Sequence, residues 1–128
     1  MKVIGFGTFD GIHPGHLFFL RELKKLGDEL IVIIARDKNV VKTKGKPAKF
    51  NENKRLNFIK KEDIADNVFF GEHDDLYKCL KEHKPNIIGL GYDQNADIKY
   101  LKEYFPEIEI VRVGACEPDR YKSSIING

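Results

Sequence analysis

Apolar positions in this chain fall into short blocks separated by polar turns, and the blocks change period as they recur. Lys2-Val3-Ile4-Gly5-Phe6 has the length of a buried strand. From Leu17 to Leu26 the apolar residues return at helical spacing, with Phe19, Leu23 and Leu26 on one side, and Gly27 stands where a C-cap is expected. Glu29 to Ala35 is a continuous apolar run rich in β-branched residues, the mark of a parallel strand buried on both faces. Residues 36–49 carry no periodic pattern and read as a loop. Asn51 reads as an N-cap with a helix over Lys54 to Lys61 behind it. Asn67 to Phe70 reads as a third strand. His73 to His83 reads as a helix with Leu76 and Leu80 inward, closed by Pro85. Asn86 to Leu90 is the fourth strand, Ile98 to Phe105 a helix and Ile108 to Val113 the fifth strand. Arg120 to Gly128 reads as a loop entering a short last helix.

Strand and helix alternate throughout, which predicts an α/β protein with a parallel sheet and right-handed crossovers. A five-stranded Rossmann-like sheet in the order 3-2-1-4-5, with helices on both faces, puts the first and fourth strands side by side. Ligands of such sheets bind beyond the strand C-termini where the order reverses. The segments there are Gly7–His16 and Gly91–Gln94. The length of 128 residues predicts a single domain, 1–128.

Composition narrows the class. A net charge of +2 disfavours a dedicated nucleic-acid binder, and no apolar run approaches a membrane span. The expectation is therefore no nucleic acid, no membrane and a cytoplasmic location. Two cysteines, Cys79 and Cys116, are too few for a disulfide framework or a cysteine zinc site. Cys79 is expected in the core, and a reactive role for Cys116 in its late loop stays open.

The first strand runs straight into Gly7-Thr8-Phe9-Asp10-Gly11-Ile12-His13-Pro14-Gly15-His16. A strand, a Gly-rich turn and a helix N-terminus aim backbone N–H groups and the positive helix end at one point, which suits a phosphate. Pro14 fits the first helical position. His13 and His16, three apart, share a face of the first turn. A metal site of the two histidines with Asp10 is an alternative, as is an incidental surface pair. The dinucleotide fingerprint fails because Asp10 stands in place of its third glycine, and no P-loop sequence is present.

Gly7-Thr8-Phe9-Asp10 followed by His13-Pro14-Gly15-His16 resembles the signature of the HIGH-motif nucleotidyltransferases, which include the cytidylyltransferases and FAD synthases. Gly91-Tyr92-Asp93-Gln94 and residues 27–37 resemble the archaeal-type FAD synthases most. Arg120-Tyr121-Lys122-Ser123-Ser124 is similar to the family's final motif. The resemblance implies transfer of AMP from ATP, with Mg2+, to a phosphate-bearing acceptor, FMN giving FAD and pyrophosphate. Cytidylyl transfer from CTP to glycerol 3-phosphate or a similar phospho-alcohol is the alternative, and a non-catalytic nucleotide-binding module a second. It implies catalytic roles for His13, His16 and Lys46. It implies nucleotide contacts from Gly7, Thr8, Phe9, Asp10, His13, Gly15, His16, Gly91, Asp93, Gln94, Tyr121, Ser123 and Ser124, with no metal held by the protein itself. Lys42 and Lys44 compete with Lys46, in a loop where Arg36, Lys38, Lys42, Lys44, Lys46 and Lys49 face only Asp37. Arg55 is either the counterpart of a family arginine or a helix-surface residue. A homodimer is expected by analogy.

Overall fold

Five short strands and the helices between them are laid out in strict succession in the structure, a computed structural model that describes residues 1–71, 76–91 and 98–114. They are β1 (Lys2–Gly7), α1 (Pro14–Lys24), β2 (Glu29–Ile34), α2 (Asp37–Lys44), α3 (Glu52–Glu62), β3 (Asn67–Phe70), α4 (Leu76–His83), β4 (Ile87–Leu90), α5 (Ile98–Tyr104) and β5 (Glu109–Arg112). The strands form one parallel sheet in the order β3-β2-β1-β4-β5, the order expected from the alternation.

The period-2 alternation within each strand feeds two separate cores. Val3, Leu30, Val32, Ile34 and Ile87 point to the face covered by Leu20 and Leu23 of α1 and Ile59 of α3. Ile4, Ile31, Ile33, Ile88 and Leu90 point to the other, under Cys79 and Leu80 of α4 and Leu101 of α5. Cys79 is thus a core residue, as expected. The helices divide in this way because a right-handed crossover covers opposite faces when the chain moves left and then right from β1. Gly5 and Gly89 are partners in the β1–β4 register. A Cβ at either would lie 2.6 Å and 2.1 Å from the Leu23 side chain. The two glycines let α1 sink onto the sheet directly behind the turn that follows β1.

Several boundaries differ from expectation. Helix α1 starts at Pro14 rather than Leu17, because His13 itself is the N-cap. It ends at Lys24, with Lys25 as C-cap in right-handed geometry, so Gly27 does not cap it. Within the core face, Leu20 joins Leu23 as a buried residue while Phe19 and Leu26 pack at its margin. The stretch after β2 is not all loop: Asp37–Lys44 forms α2, closed by Gly45 at φ 79° in the left-handed region. Asn51 caps α3 as expected, its side chain accepting the Lys54 N–H at 2.9 Å. The expected helix start at His73, the Leu76 side chain, Cys116, Arg120 and the last helix lie outside the described residues. Among the described residues, no helix is long and apolar enough to cross a membrane.

Candidate active site

Strand β1 ends at Gly7, and the chain must turn at once to start α1 above the sheet. It does so through Phe9, which sits at φ 53° in the left-handed region. A bulky residue held there carries local strain of about 1–3 kcal/mol, which the surroundings must over-determine. Here the Phe9 ring is 5 % exposed, fills the space over Gly7 and meets the His16 ring edge-on at 5.4 Å. The Gly11 N–H closes the turn on the Phe9 carbonyl at 2.9 Å.

The two histidines cap the helix they begin. His13 Nδ1 accepts the Gly15 N–H at 3.1 Å, and His16 Nδ1 accepts the His13 N–H at 3.3 Å. This is a capping box built from imidazoles in place of the usual Ser/Thr and Glu/Gln. The rings stack, with centroids 3.7 Å apart and planes 25° from parallel. Since both Nδ1 atoms accept, each neutral ring carries its proton on Nε2, a tautomer assigned from the bonding pattern. The outcome is two Nε2–H donors side by side at the positive end of α1, where an anion is favoured.

Asp10 is engaged from the other direction. Its Oδ2 accepts the Lys49 N–H at 2.7 Å and its Oδ1 the Phe50 N–H at 2.9 Å. Partial burial pushes its carboxyl upward, but these two N–H groups and the charges of Arg55 and Lys49 outweigh that and hold it below the ordinary value. Both oxygens therefore bond the far end of the lysine-bearing segment. Among the described residues, no group of three or more His, Cys, Asp or Glu is placed to hold a metal ion.

Arg55 lies beneath this turn and is neither a helix-surface residue nor open to a ligand. It is 0 % exposed. Its Nη1 donates to the Thr8 and Ala35 carbonyls at 2.9 and 2.8 Å, its Nε to the Phe50 carbonyl at 3.0 Å, and its Nη2 to Asp37 Oδ1 at 2.7 Å. Sequence reasoning missed this joint, and the signal for it was faint: an arginine one turn after the Asn51 N-cap, on the side that faces the sheet.

Two residues past the Gly5–Gly89 pair, β1 and β4 reach Gly7 and Gly91, so both turns open at one sheet edge. The Gly91 carbonyl accepts a bond from Arg112 Nη1 at 2.8 Å, tying the edge to β5. The structure thus gathers Gly7, Thr8, Phe9, Asp10, His13, Gly15 and His16 on one turn, with Gly91 at the same edge. Lys42, Lys44 and Lys46 are exposed on α2 and the segment behind it, which returns to the turn through Lys49 and Phe50. Asp93, Gln94, Tyr121, Ser123 and Ser124 lie outside the described residues.

A doubly wound sheet with paired imidazole donors at its first helix N-terminus defines a class of nucleotide-handling enzymes. A family model described as cytidylyltransferase-like matches residues 4–126, and the chain belongs to that family. Its relatives include the FAD synthase of Archaeoglobus profundus, 45% identical over 97% of this chain and 81% of that protein. The FAD synthase of Thermoplasma acidophilum is 41% identical over 98% of this chain and 91% of that one. Among solved structures, the lipopolysaccharide core biosynthesis protein from Thermoplasma volcanium superposes with a TM-score of 0.85 at 39% identity, covering 91% of this chain and 98% of that one. Pantoate-beta-alanine ligase from Francisella tularensis shares the fold, with a TM-score of 0.61 at 18% identity, over 91% of this chain and 60% of that one.

Proposed function

We propose that this protein is an FMN adenylyltransferase, making FAD and pyrophosphate from FMN and ATP. The observation that carries the reading is the near full-length similarity to FAD synthases, at 45% identity in one case, in a chain whose turn after β1 presents two imidazole donors. In the reaction an oxygen of the FMN phosphate forms a bond to the α-phosphorus of ATP. The bond from that phosphorus to the α,β-bridging oxygen breaks, and its electron pair leaves with pyrophosphate. The attacking phosphate is already an anion, so no strong general base is required. The work left to the protein is alignment and stabilisation of charge on the α- and β-phosphates.

His13 and His16 suit that work as fixed Nε2–H donors whose orientation the helix start holds. Lys46, or its neighbours Lys42 and Lys44, supplies a cation over the phosphates. By resemblance, Asp93 and Gln94 read the nucleoside, while Tyr121, Ser123 and Ser124 bind the outer phosphates. Mg2+ enters with the triphosphate as part of the substrate and neutralises its charge. A homodimer in the cytoplasm completes the reading.

The test is pyrophosphate release from ATP or CTP, each with Mg2+, against FMN or glycerol 3-phosphate. The expected result is release with ATP and FMN alone, matched by an equal amount of FAD. Release with CTP and glycerol 3-phosphate would overturn the acceptor and the nucleotide. Silence in every combination, with MgATP still bound, would make the protein a binding module.

A further inference from the structure

The cationic segment between β2 and α3 is an arch fastened at both feet. Of its residues, Val40 is buried at 2 % exposure, while Lys38, Val41, Lys42, Lys44, Lys46 and Pro47 are exposed. At the first foot, the N-termini of α2 and α3 cap each other. The Asp37 N–H donates to Glu52 Oε1 at 2.8 Å, and the Glu52 N–H to Asp37 Oδ2 at 3.2 Å. Arg36 Nη1 adds a bond to Glu52 Oε2 at 3.0 Å. At the second foot, the Lys49 and Phe50 N–H groups end on the Asp10 carboxylate. Arg55 joins the feet, bonding Asp37 at one and the Phe50 carbonyl at the other, and fixes both to the Thr8 carbonyl of the histidine turn.

The bonds at the feet therefore bear on where the lysines stand relative to His13 and His16. Asp10 is three residues before His13 on the same turn, so one carboxylate sets the distance between the second foot and the imidazoles. We propose that Asp10 and Arg55 are positioning residues that hold the lysine arch over the phosphate site, Asp10 acting through the Lys49–Phe50 backbone and not by touching the nucleotide. This rests on the functional reading above for the identity of the phosphates. The site asks for a carboxylate in particular, because two N–H donors converge on it. Asparagine has one accepting oxygen, and its NH2 would face the second N–H.

Arg55 is buried and its truncation endangers the fold, so the test uses Asp10→Asn in the full chain. The first measurement needs no nucleotide: limited trypsin digestion well below the unfolding temperature, following cleavage after Lys42, Lys44 and Lys49. Cleavage several-fold faster than in the parent, at a nearly unchanged unfolding temperature, is expected. Equal cleavage would overturn the clamp. The second is a cycle on MgATP affinity, pairing Asp10→Asn with a variant carrying Lys42→Ala, Lys44→Ala and Lys46→Ala. Asp10→Asn is expected to weaken MgATP about tenfold in the parent and hardly at all without the lysines, the non-additivity of residues acting through one unit. Additive losses would mean that Asp10 meets the nucleotide directly, and would overturn the proposal. Neither measurement contains an acceptor, so an error in the choice of FMN leaves both readable.

Discussion

His16 gathers contacts on one ring: it accepts the His13 N–H through Nδ1, stacks on His13 and receives the Phe9 ring at its side. Its Nε2–H is left oriented by bonds made before any substrate arrives, which is what donors to a transition state require. His16→Ala is expected to lower kcat by about 10²–10³, the scale for removing one such donor. Losing its bond from the His13 N–H costs about 1 kcal/mol, so the variant still folds. Steady-state rates beside a thermal melt check this, and a folded variant with parental kcat would take His16 out of the reaction. The pairing of the histidines was legible from their spacing of three. Their role as caps was not, because histidine is not among the residues that ordinarily cap helices, and only the turn through Phe9 puts Nδ1 within reach of the backbone. Arg55, which the resemblance offered as the counterpart of a family arginine, was illegible as a buried joint for a related reason. In Asn53-Lys54-Arg55 it looks like one more surface charge, and its partners are carbonyls contributed by three separate turns, which no local pattern announces.

Among the elements, the strands were legible and α2 was not. A strand buried on both faces shows itself as an unbroken apolar run, as Leu30 to Ile34 does. Helix α2 has eight residues, of which Val40 and Val41 are apolar; Val40 is buried and Val41 exposed, so the two present no amphipathic stripe. Its start depends on carboxylates traded with α3, a tertiary arrangement. The seating of α1 is testable at Gly89. A Cβ there would overlap Leu23 Cδ2 at 2.1 Å, so Gly89→Ala is expected to cost about 1–3 kcal/mol through overpacking. Adding Leu23→Ala to Gly89→Ala should cost less than Leu23→Ala costs alone, because the new methyl fills part of the space the leucine leaves. Urea denaturation of the four proteins measures it, and simple additivity would show that Leu23 does not seat on the glycines.

At the scale of the whole molecule, the carboxylates of Asp10, Asp28 and Asp66 each fasten distant segments and share one response to acid. Asp10 joins the histidine turn to the lysine arch. Asp28 is held below its ordinary value first by the hydrogen bond from the N-terminal ammonium, and Asp66 first by that from Lys24, with the Leu30 N–H adding to it. Each has a folded value below the unfolded one. The stability each contributes is therefore complete above the unfolded value of about 3.9 and is lost as pH falls through the folded value. The melting temperature should be insensitive to these groups above about pH 5 and fall steeply below about pH 4. Asp66→Asn should flatten that fall, and a variant with an undiminished acid slope would remove Asp66 from it. The order of the sheet, the edge where the turns meet and the paired imidazoles together support a site for transfer of a nucleotidyl group. The measurement that reaches this claim most directly follows ATP labelled at its α-phosphorus, incubated with Mg2+ and FMN. The label is expected in FAD, with unlabelled pyrophosphate released in equal amount. Label that stays in ATP, or leaves as free AMP while FMN is unchanged, would contradict adenylyl transfer to FMN.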